Sequence, residues 1–346
     1  MTKRKTYLDF LRIIAIMMVL FNHRVAFYNI ETLTRIDASY LIKTVFSILA
    51  KCGAPFFFMI SGTLLLEKEE KFSRTFTRRI VRMLIVMALC SIFFILAYNE
   101  PGNFKVKLNW YFYAYIGFLL MMPFLGLIAR HANKAQVILF MTSVFVIYSA
   151  YGICWYFWQA PKEVNKLFLH LYVTDWPSDC WLIIFTVSGY FLSHLKEKGF
   201  SEKEEKRLGA VMGVLAAFSL IMGIIGVIAA VKMSDSQYVE RMRQWCIYAP
   251  ACFLFWGCRR LFERYGDKLP EKCHTLITSL GATVFGIFII ENQTTLSYTI
   301  FGWIDDHTSA FLGPYLPSLL SVLAEFVIYA AIIMLVRLIP GVKKLI

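Results

Sequence analysis

Apolar runs of roughly span length, separated by short polar links, set the pattern of this chain from end to end. The clearest is the first. Between Arg12 and His23 every residue is apolar except Asn22. A run of that kind predicts the core of a membrane-spanning helix. The same pattern predicts ten spans, near residues 7–28, 40–66, 79–98, 109–128, 135–157, 179–195, 208–231, 244–262, 275–300 and 316–339. The sixth is short. The second is long and contains Pro55, whose missing amide N–H predicts a kink or break. The expected fold is all-α: a polytopic integral membrane helix bundle with about ten transmembrane helices, one domain over residues 1–346.

The first run carries an ionisable group near each end. Eleven residues separate Arg12 from His23. At about 100° per residue this is three turns plus about 20°, so both side chains share one helix face, about 16 Å apart along the axis. Charged groups in a bilayer face a protein interior or a water-filled path. One continuous path lined by both residues is therefore expected. The residues alone also allow a plainer arrangement, in which Arg12 snorkels to lipid phosphates and His23 sits at the interface.

Composition narrows the class. Hydrophobic residues make up 58% of the chain and charged residues 17%, with a mean hydropathy of +0.60. A soluble domain of this length needs far more polar surface. The first run lacks a small-residue cleavage site and is expected to remain as a span. No Cys-x-x-Cys pair occurs among the eight cysteines, so no zinc site is expected. Cys246, Cys252 and Cys258 recur every six residues and read as packing residues; Cys154 and Cys180 flank one loop and are able to pair outside the cell. The net charge of +13 reads as topology. Most of the 36 lysines and arginines fall on the face holding both termini and the links after even-numbered spans. The positive-inside rule then puts both termini in the cytoplasm of a cell-membrane protein, with Arg12 toward the inner leaflet and His23 toward the outer. No nucleic-acid-binding motif accompanies the charge.

Several other positions carry candidate chemistry. Asp9, three residues before Arg12, is placed to orient its guanidinium. Arg78, Arg79 and Arg82 form a basic cluster, with Arg78 and Arg82 at i, i+4. Their planar forks suit phosphate, and equally the acidic lipids of the inner leaflet. Small residues in Gly53-Ala54-Pro55 and Ser61-Gly62 suit close helix contact; Ser61 is either a packing residue or a nucleophile. Trp110 and Tyr111 open the fourth span, as an interfacial belt or as the wall of a cavity. The mixed-charge run from Lys196 to Arg207 reads as a solvated linker. The outer loop containing Trp155, Trp158, His170 and Trp176 either covers a binding site or rests in the headgroups. Glu291 is an acid inside the ninth span, a functional candidate by its position.

The opening stretch, LDFLRIIAIMMVLFNH, resembles the start of the membrane-bound acyltransferase-3 family, whose mark is an Arg, ten residues and a His. GAPFFFMISG and the closing stretch from Val336 to Lys344 are similar to further family segments. TVFGIFIIE resembles another, with Glu291 where the family usually has His. The resemblance runs nearly the full length. It implies an integral membrane O-acyltransferase that moves acetyl from cytoplasmic acetyl-CoA to a hydroxyl of a cell-surface or lipid-linked glycan. It implies His23 as general base, Arg12 as the group that holds the donor's arm or stabilises the oxyanion, and Asp9 as support for Arg12. Arg78, Arg79 and Arg82 would grip the donor's phosphates, and Trp110 and Tyr111 would face the acceptor; Glu291 departs from the family pattern and is placed with them as a substrate-binding candidate on its own chemistry, an acid within a span. Expected partners are acyl-CoA, the glycan acceptor and membrane lipids. A polysaccharide transporter or flippase is the competing class, since ten spans, a kinked helix and buried charge suit it too, although no matched pair of broken spans is visible. A membrane sensor or structural protein is the third.

Overall fold

The computed structural model describes residues 6–23, 37–68, 74–98, 110–150, 152–153, 182–233, 236–291, 299–304, 306–307, 317–339 and 341. Among these the chain is helical, with no strand. In order the helices are α1 (Thr6–His23), α2 (Ala38–Ala50), α3 (Gly53–Leu65), α4 (Arg74–Tyr98), α5 (Trp110–His131), α6 (Lys134–Val144), α7 (Leu182–Ser193), α8 (Glu202–Lys232), α9 (Ser236–Trp245), α10 (Tyr248–Tyr265), α11 (Glu271–Gly281), α12 (Val284–Glu291) and α13 (Pro317–Val336). Five helical stretches are long and apolar enough to cross a membrane, and three more are shorter apolar helices. This is the expected all-α membrane bundle.

Among the described residues two spans are broken, and both breaks serve the site. The Tyr40–Leu65 span is interrupted at Lys51–Cys52, between α2 and α3. Pro55 is the third residue of α3. It cannot donate to the Lys51 carbonyl, and its ring crowds that carbonyl, so the ladder stops there. The Glu271–Glu291 span is interrupted at Ala282–Thr283, where the Thr283 hydroxyl donates to the Leu280 carbonyl at 2.7 Å.

Packing follows the small residues. In lipid, helices associate through close contact, and glycine permits it. A Cβ on Gly62 would lie 1.9 Å from the Thr186 carbonyl oxygen, and one on Gly189 2.3 Å from that of Met59. Helices α3 and α7 therefore meet backbone to backbone. On its other side α3 meets α1 at Gly53, whose added Cβ would sit 2.9 Å from the Ala15 carbonyl oxygen. Leu8, Leu11, Ala15, Ile16 and Leu20 bury the face of α1.

One expectation is overturned. From Glu202 onward the mixed-charge run is not a solvated linker but the first turns of α8. Ser201 and Glu204 close a reciprocal capping box, the Ser201 amide donating to Glu204 Oε2 at 2.9 Å. This satisfies amides that a helix start leaves open. Glu205 is fully buried and pairs with the buried Arg259 of α10. Cys52, Cys246 and Cys252 are free and buried. Cys154, Cys180 and the aromatic loop around them lie outside the described residues.

Candidate active site

The site is built on the two ends of α1. At its start, Arg12 Nη1 donates to Asp9 Oδ1. Asp9 is 1% exposed, and its carboxylate in the first turn is favoured by the positive end of the helix dipole. Helix α11 closes over it. A Cβ on Gly281 would lie 2.8 Å from the Asp9 Cβ, so only glycine allows the approach. Beside this pair is a cavity of about 550 Å³. Arg12, Arg79, Arg82, Ser61 and Tyr111 are on its wall, with Phe57, Leu119 and Phe285 supplying apolar surface. Helix α4 thus directs Arg79 and Arg82, at i, i+3, to the cavity, while Arg78 is exposed and lies outside the lining.

At the other end of α1, His23 Nδ1 and Glu291 Oε1 are 2.6 Å apart. A carboxylate can only accept, so with Glu291 ionised Nδ1 carries the proton and Nε2 is the nitrogen free to take one. The Glu291 side chain is 3% exposed and that of His23 39%. The buried acid therefore backs a histidine that opens on a second cavity, of about 320 Å³. Its wall includes Asn22, Lys51, Trp110, Glu240 and Gln244. A polar chain braces it: Arg243 donates to Asn22 Oδ1 and to Glu240 Oε2, each at 3.0 Å, and Glu240 pairs with Lys51.

The helix arithmetic leads one to expect a single path lined by Arg12 and His23. Each lines its own cavity, and the two meet at Phe57, Tyr111 and Phe288, which line both. The arithmetic gave direction and separation along one helix. It carried no information about rings contributed by α3, α5 and α12.

Lys51, Glu240, Arg243 and Gln244 escaped attention in the sequence, and Asn22 stands out there only as the polar exception in an apolar run. Lys51 had a usable signal, a charge in the middle of an apolar run. Glu240 and Arg243 had none, since their sequence neighbourhood is polar. Among the described residues no three His, Cys, Asp or Glu side chains converge as a metal site.

Apolar helices long enough to cross a membrane, with a cavity holding charged side chains toward each end of one span, define a multi-pass membrane protein. The family model described as an acyltransferase domain, of the acyltransferase-3 type, matches residues 5–336. The chain belongs to the acyltransferase-3 family and is a membrane acyltransferase. No curated protein and no solved structure matches it.

Proposed function

We propose that this acyltransferase takes acetyl from cytoplasmic acetyl-CoA at the Arg12 end of α1 and transfers it to a hydroxyl of a cell-surface or lipid-linked glycan at the His23 end. The observation that carries the proposal is the division of labour along one span. Arg12 shares a cavity with Arg79 and Arg82, and His23 with its buried carboxylate opens on another. Three guanidinium forks suit the phosphates and pantetheine amides of coenzyme A. Arg12 lies about 16 Å along the axis from His23. It accordingly holds the donor rather than stabilising charge at the reacting carbonyl.

In the transfer, Nε2 of His23 takes the acceptor hydroxyl's proton as that oxygen attacks the thioester carbonyl. The carbon–sulfur bond breaks, and the leaving thiolate receives a proton back from the imidazolium. Glu291 holds the ring through Nδ1 and faces the positive charge that forms on it. Trp110 offers a face for a sugar ring, and Asn22, Lys51 and Gln244 offer hydrogen bonds to its hydroxyls. Both termini lie in the cytoplasm, in keeping with the distribution of basic residues. A transporter or flippase is not favoured, because the chain belongs to an acyltransferase family.

The test uses membranes containing the full-length protein, supplied with acetyl-CoA labelled in the acetyl group. Label is expected in the saccharide fraction, with release of free coenzyme A, and His23→Ala is expected to stop both. Absence of thioester turnover and of coenzyme A binding by the wild-type protein would overturn the proposal.

A further inference from the structure

We infer that the rings of Phe57, Tyr111 and Phe288 select the length of the acyl group, admitting acetyl and rejecting longer chains. The inference rests on the acyl transfer proposed above and names the donor class it accepts. The three rings come from α3, α5 and α12 and stand where the two cavities meet. Tyr111 is 4.9 Å from Phe288 and 6.1 Å from Phe57, centroid to centroid. It is held from behind by Phe58 at 5.5 Å, edge to face, and by Tyr115 at 6.0 Å, stacked. Tyr111 is 9% exposed. A ring packed on this many sides does not swing aside for a bulky group.

The donor enters from the arginine side with its acyl group leading. For reaction, the thioester carbonyl carbon must come within about 3–3.5 Å of an acceptor oxygen that is itself in reach of His23. The carbonyl is thus held at the rings, and the acyl chain projects past them. A methyl group needs little space there. Each further methylene must fit either between the fixed rings or into the smaller cavity, among Asn22, Lys51, Glu240 and Gln244. That cavity, of about 320 Å³, must also take the acceptor, so a longer acyl chain competes with the acceptor for the same space. The apolar wall formed by Leu119, Val284 and Phe285 lies on the arginine side, behind the thioester, where it serves the pantetheine arm and not the acyl chain.

The experiment measures acyl transfer in membranes with acetyl-, butanoyl- and hexanoyl-CoA for the wild type, Phe57→Ala and Phe288→Leu, with Phe57→Leu as a milder substitution if the alanine variant does not fold. One methylene is discriminated by at least about tenfold in a shaped pocket. The wild type is therefore expected to prefer acetyl over butanoyl by about 100-fold or more in kcat/KM. Opening the rings is expected to cut that ratio by at least about tenfold through faster use of the longer donor. Variants that transfer acetyl with the wild-type length profile would overturn the inference and leave acyl transfer standing. So would a wild type that uses hexanoyl-CoA as well as acetyl-CoA. A wild type that turns over no acyl-CoA overturns the proposed function, and the inference with it.

Discussion

Replacing Glu291 with glutamine keeps the shape of the side chain and removes its charge. In the wild type its oxygen is 2.6 Å from His23 Nδ1, and the side chain is 3% exposed. A hydrogen bond to a charged group contributes about 1.5–3 kcal/mol. The charge matters more as the reaction proceeds, because the imidazole becomes an imidazolium. Two unit charges about 4 Å apart attract by about 4 kcal/mol at an effective dielectric constant near 20. Together these bracket a loss of about 10- to 1000-fold in kcat, at about 1.4 kcal/mol per tenfold. The amide also brings an N–H that can donate to Nδ1, which would move the ring proton to Nε2 and remove the base. The KM for acetyl-CoA is expected to stay unchanged, since the arginines are at the far end of α1. The assay is release of free coenzyme A from acetyl-CoA by membranes holding equal amounts of each variant. Glu291→Asp, which retains the charge on a shorter arm, is expected to fall between wild type and Glu291→Gln. A folded Glu291→Gln protein with kcat within about twofold of wild type would refute the reasoning.

Four further outcomes are expected. His23→Ala abolishes transfer while gel filtration in detergent stays monodisperse; near wild-type transfer would remove His23 as the base. Arg79→Ala and Arg82→Ala each weaken coenzyme A binding by about 10- to 150-fold, the equivalent of one lost charge-assisted bond, whereas Arg78→Ala, outside the cavity, changes it less than about twofold; calorimetry with coenzyme A and dephospho-coenzyme A separates these. Gly281→Ala forces a Cβ to within 2.8 Å of the Asp9 Cβ and destabilises by about 1–3 kcal/mol, read as a lower Tm. Glu205→Ala removes the buried carboxylate from Arg259 and leaves it the longer contact with Glu263 at 3.6 Å, which destabilises by up to about 3–5 kcal/mol, while an apolar replacement of both residues recovers much of the loss.

The sequence was most informative where one helix carries its own evidence. The run from Arg12 to His23 announces a span, and its spacing puts two ionisable groups on one face. Pro55 announced a break, which occurs three residues earlier because proline disturbs the carbonyl four residues before it. The Ser201–Glu204 box was equally visible as a helix start, but the surrounding charges suggested a solvated link. They do so because burial of Glu205 depends on Arg259, 54 residues further on. The same limit applied at the site. Glu291 stood out as an intramembrane acid, yet its place against His23, 268 positions away, is a property of the packed bundle. Choosing between Arg78 and Arg79 as cavity residues required the rotation of α4, which its nearly continuous apolar sequence does not specify.

The three rings between the cavities also have an electrical consequence. A span with a wet pocket at each end brings the two aqueous phases close together, and most of the membrane potential then falls across the thin dry layer between them. Moving one elementary charge through 100 mV releases about 2.3 kcal/mol, which drives a leak of protons or cations unless something opposes it. The effective barrier is dehydration. An ion entering a layer of phenyl and phenol rings loses its water and finds no partner of opposite charge. With water in both cavities, Phe57, Tyr111 and Phe288 are the apolar rings placed to insulate one from the other.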